Sequence, residues 1–142
     1  MKDDMQKKYV EFQMMQQQMQ QLQQQIEKFD KQLLELNGVT TALEEFQNMK
    51  KGSDMLVPLA SGIFAYGELK DSEHVRVNVG ANVSVKKSIP DTISLVKQQI
   101  DEIEKYKVQM TENLTQMNQY MHALQQDLMQ AAQEEEKSEK KE

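Results

Sequence analysis

Two heptad runs, one on each side of a strand-rich centre, constrain this chain more than any other feature. In the first run Phe12, Met15, Met19, Leu22, Ile26, Phe29, Leu33, Leu36, Thr40 and Leu43 step alternately by three and four. In the second, Ile93, Val96, Ile100, Ile103, Lys107, Met110, Leu114, Met117, Met121, Leu124 and Leu128 do the same, and Lys107 is the polar exception. An apolar repeat of about 3.5 residues is that of coiled-coil a and d positions, which bury a narrow seam against a partner helix. The other arm of the same chain is the expected partner. The fold class that follows is α+β, a long antiparallel coiled-coil hairpin with β-structure at its centre. A seam filled in this way leaves no room for an enclosed active site.

The boundaries read from the sequence are a first arm over 1–51, a strand block over 52–88, a second arm over 89–133 and a charged, disordered tail over 134–142. Lys50 and Lys51 suit a helix C-terminus, with Gly52 as its stop. Inside the first arm, Asn37-Gly38 followed by Val39, Thr40 and Thr41 is poor helix sequence. A bend or stutter is expected there, with the seam moving to Val39, Leu43 and Phe46. Ser88-Ile89-Pro90-Asp91 has the spacing of a capping box that opens the second helix. Antiparallel registration pairs Phe12 with Leu124, Met19 with Met117 and Leu43 with Ile93. A shift of one heptad instead sets Gln47 against Val96 and Phe12 against Ala131, which buries less apolar surface. Arms of about 45 residues would be about 65–70 Å long.

The centre carries period-two signals. Leu56-Val57-Pro58-Leu59 and the run from Ile63 to Leu69 flank Ala60-Ser61-Gly62, a hairpin loop. Val75, Val77 and Val79 alternate with His74, Arg76 and Asn78, and after a Gly80-Ala81 turn Val83 and Val85 alternate again. Pro58 cannot donate to a ladder and belongs at an edge or bulge. Four short strands cannot bury both faces, and an isolated hairpin is marginal in water. Leu56, Val57, Leu59, Ile63, Phe64, Val75, Val77, Val79, Val83 and Val85 are therefore the expected subunit interface, to be covered by other chains.

Composition removes several classes of function. The net charge is -6 and Arg76 is the one arginine, so no basic stripe is available to neutralise phosphates and no nucleic-acid partner is expected. With no cysteine there is neither a disulfide framework nor a thiolate zinc site. His74 and His122 lie far apart in sequence, and no phosphate-loop or metalloprotease motif occurs. The expectation is a protein without catalytic residues, cofactor or metal. No run approaches about 18 apolar residues, so a cytoplasmic protein without a membrane partner is expected. Gln crowds the first arm from Gln16 to Gln25 as a solvated helical face, through which Met19 and Leu22 carry the heptad. Ten of the 11 methionines lie in the arms. Met14 and Met129, with Tyr9 and Val10, fall off the seam, where flexible methionine suits a surface that binds varied partners.

These features together resemble the prefoldin α class of archaeal type. The likeness covers the whole order of helix, two β-hairpins and helix. It is also local, in Leu56-Val57-Pro58-Leu59, Ser61-Gly62, Gly67-Glu68-Leu69, Val79-Gly80 and Val83-Ser84-Val85-Lys86-Lys87. Two hairpins point to the α class, because the β class has one. The resemblance implies a hexamer of two α and four β subunits whose hairpins build an intersubunit β-barrel. It further implies an ATP-independent holdase that binds unfolded clients at its coiled-coil tips and passes them to a group II chaperonin. On this chain the client-binding tip would comprise Met5, Tyr9, Phe12 and Met15 on one arm, and Met121, Leu124, Leu128 and Met129 on the other. A non-chaperone scaffold subunit of a prefoldin-like assembly is the alternative.

Overall fold

The computed structural model describes residues 2–141. Its elements are α1 (Lys2–Asn48), β1 (Asp54–Ala60), β2 (Ile63–Glu68), β3 (His74–Gly80), β4 (Val83–Ser88) and α2 (Ile89–Lys140). They form two compact units. The central unit is Gln32–Ile103, and the terminal unit takes the remaining described parts of α1 and α2.

In the central unit Leu43, Ile89 and Val96 are buried together, and Leu36, Phe46, Val75, Ile93 and Ile100 pack against them. Burial of this cluster joins α1 to the start of α2. It also covers Val75, so Val75 is not the uncovered interface residue that β-alternation suggested. The side chain lies where β3 leaves the helix pair, and the helices supply its cover. Ser88 caps α2: its hydroxyl oxygen accepts the Asp91 amide at 3.2 Å. The Ile89 amide donates to the Glu73 carbonyl at 2.9 Å, tying the helix start to the β2–β3 connection.

α1 ends at Asn48, earlier than the expected Lys51, because Lys50 to Ser53 closes a separate turn, with Ser53 donating its amide to the Lys50 carbonyl. Gly52, at φ 89°, then donates to the Leu69 carbonyl at 2.7 Å, and Leu69 returns a bond to Ser53. This pins the helix exit to the end of β2. Asn37-Gly38 does not interrupt the helix. Thr40 keeps the seam position while Val39 stays exposed, and the Thr40 hydroxyl is satisfied by the Leu36 carbonyl at 3.0 Å. The phase change falls later, after Leu43, where Phe46 and Met49 turn inward.

Each hairpin is its own two-stranded antiparallel sheet. The first turns at Ser61-Gly62, and its register slips at Leu59, beside Pro58. The second turns at Ala81-Asn82, one residue later than expected. Both residues have positive φ (50° and 60°), the geometry of a type I′ loop whose twist matches the strands. α2 continues to Lys140, past the expected end near Gln133. Glu136 and Lys140 are four apart, and Lys137 and Lys140 sit where cations complement the helix dipole.

In the terminal unit every described non-exposed residue of α1 lies on the heptad seam or its extension through Met5 and Lys8. Met121 and Leu124 are the most deeply buried apolar residues there. Lys107 fills its seam position with its stem while its ammonium pairs with Asp30. Lys8 pairs with Asp127 at 3.7 Å and Tyr120 donates to Glu11 at 2.8 Å. The Lys107–Asp30 and Lys8–Asp127 pairs fit the register that sets Phe12 against Leu124 to within one residue, and Tyr120 reaches Glu11 from somewhat more than a turn away.

Candidate functional site: the hairpin surfaces and the ends of the helices

The first hairpin is apolar on both faces. Leu56 lies opposite Tyr66 and Pro58 opposite Phe64, while Val57 lies opposite Ala65 on the reverse face. Leu56, Leu59, Ile63, Phe64 and Tyr66 are all more than half exposed, Tyr66 at 93%. A large aromatic in that position makes almost no contact within its own chain. Tyr66 is absent from the residues the sequence singles out, although its place two residues after Phe64 puts it on the same face.

The second hairpin is two-sided. Val77 lies opposite Val85, with Val79 and Val83 beyond them still more than half exposed. The opposite face sets Arg76 against Lys86 and Asn78 against Ser84, all polar. Asp71 secures the approach to this hairpin. Its carboxylate accepts the Glu73 amide at 2.8 Å and the His74 amide at 3.1 Å, and His74 and Lys86 lie within 4 Å of it. The Glu73 amide bond, aided by His74 against some desolvation, holds the Asp71 carboxyl below its ordinary value.

In the terminal unit the expected tip residues divide into two groups. Met121 and Leu124 are buried against the other helix, at 9% and 6% exposure, so they form seam rather than accessible surface. Phe12, Met15, Met5 and Leu128 are half-buried. Tyr9 and Met129 are open, Met129 at 62%. Val10, Met14 and Tyr120 join them as exposed apolar side chains, and Tyr120 is the one the heptad reading missed. Its phenol is pushed up by the hydrogen bond to the Glu11 carboxylate and by that group's charge.

Among the described residues no group of three or more His, Cys, Asp or Glu is arranged to hold a metal ion. Nor is any described helix long and apolar enough to cross a membrane.

Two long helices joined by a pair of antiparallel hairpins define a coiled-coil subunit class with exposed strand faces. The chain belongs to the prefoldin subunit family, whose family model ("Prefoldin subunit") matches residues 2–134. It is 33% identical over 86 residues to prefoldin subunit alpha of Archaeoglobus fulgidus, covering 61% of this chain and 63% of that protein. It is 26% identical over 111 residues to the alpha subunit of Methanococcus vannielii, covering 78% of this chain and 74% of that one. The chain thus spans somewhat less than two thirds of the Archaeoglobus relative. The fold also resembles that of a chain in the cryo-EM structure of filamentous PFD from Methanocaldococcus jannaschii. There the TM-score is 0.71 at 17% identity, over 79% of this chain and 93% of that one.

Proposed function

We propose that this chain is the α subunit of a cytoplasmic prefoldin hexamer of two α and four β subunits. The complex binds unfolded polypeptides without ATP, catalyses no reaction, and delivers its clients to a group II chaperonin. The observation that carries the reading is the first hairpin, apolar and exposed on both faces. At about 25 cal/mol per Å² of apolar area, such a surface is stabilised by strands of other chains and is a liability without them. The β-barrel interface is assigned to Leu56, Val57, Leu59, Ile63, Phe64, Tyr66, Val77, Val79, Val83 and Val85. Client binding is assigned to the half-buried Met5, Phe12, Met15 and Leu128 and the exposed Tyr9, Val10, Met14, Tyr120 and Met129. An unfolded client has no fixed shape, so pliable methionine surface suits it better than a pocket.

The test is co-expression with a prefoldin β subunit, measurement of the complex mass, and suppression of client aggregation in the absence of nucleotide. A hexamer that suppresses aggregation is expected. A hexamer that leaves aggregation unchanged would identify a scaffold instead, and a stable monomer in the presence of β would refute the assembly.

A further inference from the structure

The seam thins toward the chain termini for a reason visible in the sequence. Beyond Phe12 and Leu124 the next facing positions hold Lys8 against Leu128 and Met5 against Ala131, a charged residue and a small one. Ala131 leaves room that a larger side chain fills elsewhere in the seam, and the Lys8 ammonium is drawn out to Asp127. Two grooves open there, both floored by Met5 and Leu128. One has Tyr9 and Val10 along its wall. The other is lined by Asp4, Asp127, Glu134 and Glu135 together with Lys8. Asp127 is occupied by Lys8, whereas among the described residues no ammonium lies within 4 Å of the other three carboxylates.

We infer that this end of the coiled coil selects client segments in which apolar residues are flanked by lysine or arginine. The inference rests on the chaperone reading above and adds a chemical class of client to it. Apolar side chains of the segment would lie over Met5, Leu128 and Ala131 in the carboxylate-rimmed groove. Its cations would meet Asp4, Glu134 and Glu135 on the rim of that same groove. The occupant is fixed by charge complementarity: an apolar strip with one carboxylate-lined bank favours a cationic neighbour and repels an acidic one. Hydrophobic contact supplies the affinity, and the rim discriminates.

The experiment uses the α–β hexamer and two synthetic peptides with one apolar core, flanked by Lys and Arg in one and by Asp and Glu in the other. Binding is followed by fluorescence anisotropy at low and moderate salt, for wild type and for an α subunit carrying D4N, E134Q and E135Q. Three exposed charge contacts correspond to about a fivefold effect. The wild-type hexamer should bind the cationic peptide about fivefold more tightly than the acidic one, with the preference shrinking as salt rises. The triple variant should lose the preference while its helix content, by circular dichroism, stays unchanged. Equal binding of both peptides by wild type, or an unaltered preference in the variant, overturns the inference. A hexamer that shows no preference yet still suppresses client aggregation refutes only the charge selection. A hexamer that neither binds a peptide nor suppresses aggregation refutes the chaperone reading along with it.

Discussion

Ile89→Ala is the sharpest probe of how the central unit is held together. Ile89 is fully buried, at 0% exposure, and its cluster partners all lie within Gln32–Ile103. The change removes about three carbons at about 0.8 kcal/mol each. A cavity term brings the loss to about 3 kcal/mol, inside the span of about 2–5 measured for such truncations. The helix start should survive, since the Ile89 amide still donates to Glu73 and Ser88 still caps. Hydrogen exchange read by mass spectrometry on the assembled complex is the assay. Amides of β3, β4 and the first turns of α2 should exchange about a hundredfold faster, while seam segments around Met19 and Met117 keep their wild-type rates. Leu34→Ala, at a position 76% exposed, should change the same amides by no more than about 0.5 kcal/mol. Less than a fivefold change in β3 and β4, or equal acceleration along the whole chain, would refute the placement of the core.

Changing Val77 and Val79 to Asp should abolish hexamer formation in mass measurements and leave helical circular dichroism nearly intact. Cysteines replacing Met19 and Met117 should crosslink within one chain under mild oxidation; efficient crosslinking of Met19 to Leu124 replacements instead would establish a different register. Lys107→Leu should raise the thermal midpoint slightly or leave it unchanged, because the pair with Asp30 is partly exposed and a seam leucine packs well; a large loss of stability would show that the ion pair holds the arms. Asp71 has a folded pKa below the ordinary 3.8. Its contribution is therefore present above that value and lost as pH falls through the lower folded one. NMR titration should show this, and Asp71→Asn should remove the acid-dependent loosening near His74.

The helices were legible because burial in a coiled coil is periodic and one-dimensional. Every seam position from Phe12 to Leu43 and from Ile93 to Leu128 is at least half-buried. The helix runs on through Gly38, as a bend or stutter allows, but the seam does not move to Val39 there: Thr40 keeps the position and the phase change falls after Leu43. A Cβ at Gly38 would meet no atom within 4 Å, so the glycine answers no steric need of this chain. The helix exit at Asn48 depended on hydrogen bonds to Leu69, some twenty residues away in sequence, which no local pattern encodes. Val75 was misplaced for the same kind of reason: alternation gives the face of a strand but not what lies over it. The hairpin surfaces were largely legible, since apolar residues that a small sheet cannot bury are visible as such. The helix ends were less so. Met121 and Leu124 were read as accessible because they lie near the chain termini, although heptad phase had already committed them to the seam.

The pairing of α1 with α2 also orders events in time. Each hairpin closes over a few residues, whereas Leu43 must find Ile93 about fifty residues away, and Phe12 must find Leu124 more than a hundred away. Loop-closure entropy grows only as the logarithm of that distance. Contact of Leu43 with Ile89 and Val96 already closes the long loop, so each further turn of the arms should cost little to add and the coiled coil is expected to zip from the strands toward the termini. During synthesis the methionine-rich first arm leaves the ribosome long before its partner exists. For that interval this subunit is itself an unfolded chain with an uncovered apolar stripe.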